Sequence, residues 1–305
     1  MEKIHFRDIA TFRGEFSAGI GKFDGVHLGH REILGMISSE AERTGGIPAV
    51  FTFRKFRAEF MLCGWEEKLA LLEKAGIRIC FWCDIDEIYG LSHRAFLDTM
   101  VSAGLKTLVV GYNFRFGAGR KGDVKFLQKK QKDKKFNLVI VPPRTSGGEI
   151  VNSSKIRTLI KKGEIAKAND FLGRTFSVTG KVISGSNTGS TIGFPTANLS
   201  LENNVRAGEG VYAGWAVYKD KIYKAAIVAG VPPSFRDKTE KFEVFMINFS
   251  GGEIYGEEVK VFLFKKLREQ IKFRDKKKLK LRIAADVEEI KDLLVEEPCL
   301  MEAKS

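Results

Sequence analysis

Cysteine is scarce in this chain, and none of it is arranged for chemistry. Four cysteines occur in 305 residues. Cys80 and Cys83 have C-x-x-C spacing, but Ile77–Ile85 reads as an apolar strand with no helix start after the first cysteine. That setting favours a buried strand over a redox pair. No second cysteine pair or nearby histidine completes a zinc site. Apolar runs of membrane-span length are absent, and Met1-Glu2-Lys3-Ile4-His5 does not read as a signal peptide. The expectation is a soluble cytoplasmic protein in which Cys63, Cys80, Cys83 and Cys299 stay reduced. Two familiar phosphate motifs are also missing. Gly14 and Gly19 have P-loop spacing, but Ile20 stands where lysine is required. Gly208-Glu209-Gly210-Val211-Tyr212-Ala213 matches a dinucleotide fingerprint only loosely, and it runs into a β-rich segment rather than a helix. No internal repeat or low-complexity tail is evident.

Acidic residues are outnumbered. Lys and Arg total 51 against 38 Asp and Glu, for a net charge of +13. Such a balance asks for anionic partners. Lysines cluster at 129–135 and 276–280. Both runs read as solvated helix faces. Neither has the interleaved aromatics or recognisable motif of a nucleic-acid patch, so phosphorylated small molecules are the expected partners and nucleic acid is not. A basic nucleic-acid-binding protein with a degenerate nucleotide fold is the rival from another class, and strong salt-sensitive RNA binding without ATP turnover would mark it. Hydrophobic content of 44% is ordinary for a chain that buries real cores. The length favours two domains.

The first half alternates short apolar runs with helical patterns. Expected strands are Phe16–Lys22, Ala49–Phe53, Ile77–Cys83, Thr107–Gly111 and Leu138–Val141. Helical stretches at Arg31–Thr44, Glu66–Ala75 and His93–Ala103 lie between them. This alternation predicts an α/β doubly wound parallel sheet, whose ligands bind beyond the carboxyl ends of the strands. From about Phe176 the pattern becomes β-branched and aromatic, at Ser177–Ile183, Val211–Tyr218, Ile222–Ala229, Lys241–Asn248 and Val259–Phe264. It predicts an antiparallel β-barrel or sandwich. A C-terminal helix follows, with Leu279, Ile283, Val287, Ile290 and Leu294 near helical spacing. The boundary is expected within Gly163–Gly173, after a short helical run at Ser154–Lys162, which divides the chain into 1–168 and 169–305. Each half is long enough to fold alone.

The most telling segment is Gly19-Ile20-Gly21-Lys22-Phe23-Asp24-Gly25-Val26-His27-Leu28-Gly29-His30-Arg31. Two histidines three apart sit where a strand turns into a helix, so both can face one ligand. Gly25 and Gly29 allow close backbone approach, and the free N–H groups of a helix start suit a phosphate chain. The plainer alternative is a pair of surface histidines. The string resembles the Gly-x-Phe-Asp-Gly-Val-His-x-Gly-His signature of prokaryotic FAD synthetases, members of the nucleotidyltransferase superfamily that usually carry a riboflavin kinase domain next.

The resemblance extends along the chain. Val110-Gly111-Tyr112-Asn113-Phe114-Arg115-Phe116-Gly117 is similar to the family's Gly-x-Asp/Asn-Phe-x-Phe-Gly segment, which implies that Asn113 and Phe114 help place the flavin. On the residues alone, Asn113 reads equally as a loop residue. Val151-Asn152-Ser153-Ser154-Lys155-Ile156-Arg157 is similar to Ile-Ser-Ser-Thr-x-Ile-Arg, with Asn152 and Ser154 replacing Ser and Thr. Hydroxyls at a helix start either cap it or donate to phosphate, and Arg157 adds a planar cation. The adenylyltransferase ATP site implied by the family comprises Gly21, Phe23, Asp24, Gly25, His27, Gly29, His30, Ser153, Ser154 and Arg157. One departure stands out: Thr52-Phe53-Arg54-Lys55-Phe56 lacks the family's Pro-His-Pro.

In the second half, Gly193-Phe194-Pro195-Thr196-Ala197-Asn198 resembles the Gly-Phe-Pro-Thr-Ala-Asn signature of riboflavin kinases. The resemblance implies ATP contacts at Gly180, Lys181, Gly185, Gly193, Pro195, Thr196 and Asn198, with Mg²⁺ on the hard oxygens of Thr196 and Asn198. The alternative is a simple Pro-containing turn. Ser190 stands where many members have Arg. Phe242-Glu243-Val244-Phe245 resembles the strand bearing the kinase's catalytic carboxylate, which makes Glu243 the expected general base. Gly230–Phe235 and Lys266-Leu267-Arg268-Glu269 also echo family segments, with Arg268 near the flavin. The expected activities are ATP-dependent phosphorylation of riboflavin to FMN and adenylylation of FMN to FAD. An adenylyl- or cytidylyltransferase for another phosphate-bearing substrate is the rival within enzymes. Oligomeric state is left open.

Overall fold

The computed structural model describes residues 1–185, 193–202, 207–231, 241–273 and 275–295. Ser190, the segment Pro232-Pro233-Ser234-Phe235 and Cys299 lie outside the described residues. The described chain forms two compact units. One comprises Met1–Glu59 and Trp65–Val151; the other comprises Phe60–Gly64 and everything from Asn152.

The first unit is built on a parallel sheet of six strands in the order β1-β4-β3-β2-β5-β8. Its strands are β1 (Glu2–His5), β2 (Phe16–Ile20), β3 (Ile47–Phe53), β4 (Ile79–Cys83), β5 (Leu105–Gly111) and β8 (Asn137–Val141). Every pairing is parallel. Four helices connect them: α1 (Leu28–Thr44), α2 (Trp65–Lys74), α3 (His93–Ser102) and α4 (Val124–Lys134). Two small hairpins, β6 (Arg115–Phe116) with β7 (Gly122–Asp123) and β9 (Thr145–Ser146) with β10 (Glu149–Ile150), form separate two-stranded sheets. Central strand β2 is buried at every position, as a strand covered on both faces must be. The alternation along β4 sends Cys80 to the layer under α1 and α2, with Leu34 and Leu72, and Cys83 to the opposite layer, with Phe96 and Leu97. The two thiols therefore point away from each other, and burial pushes each up to about 12. The buried-strand reading of C-x-x-C holds.

The doubly wound sheet, α1, α2 and α3 follow the pattern read from the sequence, with strand ends shifted by a few residues. Strand β2 stops at Ile20 rather than Lys22, because the chain turns there into the histidine loop. Edge strand β1 was not expected. Its four residues are half-exposed or exposed, so it carries no apolar signal.

The second unit contains a closed antiparallel barrel, in the order β11-β12-β15-β14-β13-β16. The strands are β11 (Phe176–Ile183), β12 (Ala197–Leu201), β13 (Gly210–Tyr218), β14 (Lys221–Gly230), β15 (Lys241–Met246) and β16 (Glu258–Arg268). The barrel alternative is thus the observed one, and β12 is the strand the apolar pattern missed. A C-terminal helix, Lys276–Leu293, packs Val287, Ile290 and Leu294 against Trp215 and Phe262.

The stretch expected to hold the boundary is itself helical. Helices α5 (Ser153–Lys161) and α6 (Ile165–Leu172) precede the barrel. Helix α6 buries Ile165, Ala168, Phe171 and Leu172. Asn169 Nδ2 donates to the Leu263 and Phe264 carbonyls at 3.0 and 3.2 Å, and its Oδ1 accepts from Phe176 N at 2.7 Å. The packing division therefore falls at Val151/Asn152, ahead of 168/169. A fragment starting at Asn152 keeps α5 and α6, although not Phe60–Gly64, and is expected to melt cooperatively. One starting at Asn169 gives up the buried Ile156, Leu159, Ile160 and Ile165, at roughly 1.5–3 kcal/mol each, which is comparable to a domain's whole stability. Equal melting temperatures for the two fragments would contradict this.

Candidate functional site

In the first unit the strand order reverses at β2, which has β3 on one side and β5 on the other. Ligands of such sheets bind in the crevice beyond the carboxyl ends at that point. The His27–His30 segment leaves β2 there, and Asn113 follows β5. The fold brings these two predicted segments to neighbouring strand ends.

The histidine loop is tightly wound. Phe23 (φ 45°), Gly25 (φ 76°) and Val26 (φ 38°) all adopt left-handed backbone. For a β-branched residue such as Val26 that is a strained conformation, of a kind concentrated at functional sites. His27 is the N-cap of α1, its Nδ1 accepting from His30 N at 3.3 Å. The two imidazoles stack with centroids 3.6 Å apart and 16° between planes, so they do share one face. Gly29 makes room for that stack: a Cβ there would sit 3.3 Å from the His27 ring. Burial, the neighbouring His27 and the cation of Lys68 hold His30 well below its ordinary pKa, and its Nδ1 is buried without a hydrogen-bond partner among the described residues. His30 is therefore held toward its neutral form in a stacked pair that faces one side, where ring N–H groups can donate to phosphate oxygens.

Asn113 is exposed in a turn closed by Phe114 N to Gly111 O at 3.0 Å. Phe114 stacks on Phe116 at 5.3 Å and packs against the core, so the aromatic pair supports the turn. Gly117, at φ 72°, lies where any Cβ would collide with the His93 backbone. The Phe-x-Phe-Gly part of the motif thus has a packing reason of its own.

Arg54, one of the two cations replacing Pro-His-Pro, is committed elsewhere. Its Nε and Nη2 pair with Asp84 at 3.0 and 2.7 Å, and its guanidinium lies 5.0 Å over the Trp82 ring. That pairing holds the Asp84 carboxyl below its usual range. The Arg54 substitution builds a surface clamp between the ends of β3 and β4. Arg54→Ala is expected to lower thermal stability only slightly, as for a partly exposed ion pair, with little change in FAD formation. A large rise in the Michaelis constant for FMN would instead place Arg54 on substrate.

In the second unit, the cap of α5 is Asn152, whose side chain accepts from Lys155 N at 2.9 Å. The capping role expected for Ser153 and Ser154 is thereby corrected, and an ordinary N-cap no longer accounts for the serines. Arg157 Nε donates to the Phe60 carbonyl at 2.8 Å.

The barrel places the kinase residues in register. Asn198 on β12 lies directly opposite Glu243 on β15, and Glu243 lies opposite Val228 on β14. Directly opposed residues share a face with Cβ atoms about 5 Å apart. Glu243 is half-buried, and burial raises its pKa, with Lys241 partly offsetting it. Gly185 passes so close to Asn198 that any Cβ would collide with its amide. Gly193 has φ +88°, a conformation few other residues adopt. Pro195 is exposed and Thr196 half-buried just before β12. Gly180 sits mid-strand, buried between Leu201 and Val259, while Lys181 is exposed. Arg268 is held by the buried Asp286 of the C-terminal helix, at 3.0 and 2.6 Å.

The described residues contain no cluster of three or more His, Cys, Asp or Glu side chains able to hold a metal. Thr196 and Asn198 offer neutral, hard oxygens, the donor type Mg²⁺ accepts alongside substrate phosphates. Asn198, fixed between Gly185 and Glu243, fits that requirement.

Comparison with known proteins separates the two units by kind. The family model for FAD synthetase matches residues 11–155, and that for riboflavin kinase matches residues 172–294. The bifunctional riboflavin kinase/FMN adenylyltransferase of Bacillus subtilis is 31% identical over 285 residues, covering 88% of this chain and 90% of that one. The chain belongs to this bifunctional family. The relatives in Escherichia coli K12 and Haemophilus influenzae are each 31% identical, covering 88% and 89% of this chain and 89% and 92% of their own. A crystal structure described as a macrolide-efflux protein from Streptococcus pneumoniae is similar over 96% of this chain and 99% of that one, with 25% identity and a TM-score of 0.84. Among the described residues of this family member, no helix is long and apolar enough to cross a membrane.

Lys68 is the residue that sequence reasoning missed. Inside the Glu66–Ala75 helical pattern it reads as a solvent-facing lysine, yet it is buried at the carboxyl end of the sheet.

Proposed function

We infer that the barrel unit phosphorylates riboflavin to FMN with ATP, and that the parallel-sheet unit transfers AMP from a second ATP to FMN, giving FAD and pyrophosphate. The observation that carries this is the tandem match of both family models, FAD synthetase then riboflavin kinase, along a chain related over 88% of its length to a bifunctional enzyme.

In the kinase step, the Glu243 carboxylate accepts the proton of the riboflavin 5′-hydroxyl. The oxygen attacks the γ-phosphorus, and ADP leaves. The raised pKa of Glu243 makes it a better proton acceptor than an exposed carboxylate. Thr196 and Asn198 are the proposed holders of Mg²⁺, which supplies charge neutralisation on the phosphates when bound. In the second step, an FMN phosphate oxygen attacks the α-phosphorus of ATP and pyrophosphate departs. Both groups are already ionised, so positioning and charge stabilisation dominate. His27 and His30 are the proposed phosphate donors, with Asn113 placing substrate. Ser153, Ser154 and Arg157 are proposed as ATP contacts on the motif they carry. The division of function at 168/169 and a cytoplasmic location are part of the same reading. Purified protein incubated with riboflavin, ATP and Mg²⁺ should yield FMN and then FAD by chromatography. Formation of neither product would refute it.

A further inference from the structure

Lys68 has only 1% of its surface exposed. A buried ammonium is costly unless hydrogen bonds and a task compensate. Helix stability does not explain it, because Lys68 lies in the first turn of α2, where a cation opposes the helix dipole. Its Nζ donates to the Phe53 carbonyl at 2.7 Å and to the Lys22 carbonyl at 3.2 Å. The Lys22 carbonyl also accepts from the Thr52 hydroxyl at 3.0 Å. The Trp65 and Phe56 rings flank the ammonium, with centroids 5.1 and 5.2 Å away, a cation–π setting. Lys68 thus ties together two loops: the one leaving β2, which carries His27, and the one leaving β3, where the family's Pro-His-Pro is missing.

We propose that Lys68 is a positioning residue for adenylyl transfer, clamping the His27 loop to the end of β3 and presenting a fixed positive charge to the His27–His30 pair. This rests on the reading of that pair as the ATP-phosphate donors. The ionisable groups that act on His30 are His27 beside it and Lys68 from α2; Asp24, in the turn before it, is buried, and the Cys80 thiol of β4 is neutral. Strands β3 and β5 turn Val50 and Val109 to this side. His27 and Lys68 both disfavour protonation of His30. Lys68 therefore does two things at once. It sets the loop geometry, and it adds to the burial and the neighbouring His27 that disfavour protonation of His30.

The test uses the full-length protein with Lys68→Met and Lys68→Arg, reading kcat/KM for ATP in FAD formation and the titration of His30 by NMR. Removing the charge must raise the pH at which His30 takes a proton. In Lys68→Met, FAD formation is expected to fall by about 10- to 100-fold, the scale of a small misplacement, with its acid limb and the His30 titration both moved to higher pH. Lys68→Arg should keep the His30 titration low and recover part of the rate. Riboflavin phosphorylation should be unchanged in both. A wild-type rate or an unshifted His30 titration in Lys68→Met overturns the proposal. If that variant does not fold, the unsubstituted protein decides, because a His30 titrating at its ordinary pH refutes the charge role. His30→Ala with full FAD formation would remove the underlying site reading, whereas an inactive His30→Ala beside a normal Lys68→Met would remove the Lys68 proposal alone.

Discussion

Glu243→Gln is expected to lower riboflavin phosphorylation by roughly 10²–10⁴, the usual worth of a general base, while FAD formation from supplied FMN continues. Gln keeps the shape and the register opposite Asn198 but cannot take a proton. The pH dependence has a definite sign. Burial raises the Glu243 pKa, so the acid limb of kcat/KM for riboflavin should lie above the range of an exposed carboxylate and vanish from the residual activity of the variant. The stability consequence runs the other way. A group whose folded pKa is raised supports the fold below its unfolded pKa, and that support is lost as pH rises through the folded value. Glu243→Gln should therefore melt at or above the wild-type temperature near neutral pH, a trade of stability for function. A kinase rate equal to wild type would make Glu243 structural.

The second large effect is expected at the histidine pair. His27→Ala and His30→Ala should each reduce FAD formation by ~10²–10³, the cost of removing one preorganised donor to developing charge, and leave FMN formation intact. The two variants should differ in stability. His27 caps α1 and stacks on His30, so its loss costs about 1 kcal/mol in the cap alone. His30 has a buried nitrogen without a partner among the described residues, so its replacement is expected to be milder. Normal FAD synthesis in the double variant would show that the stacked pair has no part in adenylyl transfer.

Local pattern and motif carried most of the architecture. Apolar runs such as Phe16–Lys22 and Thr107–Gly111 read as buried strands, and the helical spacing between them leaves a doubly wound sheet as the economical solution. The family signatures pointed to His27, His30, Thr196 and Asn198, and a separate strand resemblance pointed to Glu243; the fold sets Asn198 opposite Glu243 and stacks His27 on His30. Signals that depend on distant partners were not legible. Strand β12 follows a Pro-Thr turn and has a half-polar sequence, and it becomes a strand because β11 and β15 offer it hydrogen bonds on both sides.

Charge and polar partnership belonged to the tertiary structure alone. Arg54 reads as a cation arriving at a phosphate site, yet Asp84, thirty residues on, claims it. Ser153 and Ser154 read as caps, yet the adjacent Asn152 reaches the free N–H first. Lys68 reads as an exposed helical lysine, yet two carbonyls from separate strand ends hold it inside. Sequence periodicity reports which face of an element is apolar, since burial of apolar surface is additive and local to that element. The fate of a charge depends on which oxygen atoms the fold brings within about 3 Å of it, and only the packed chain determines that.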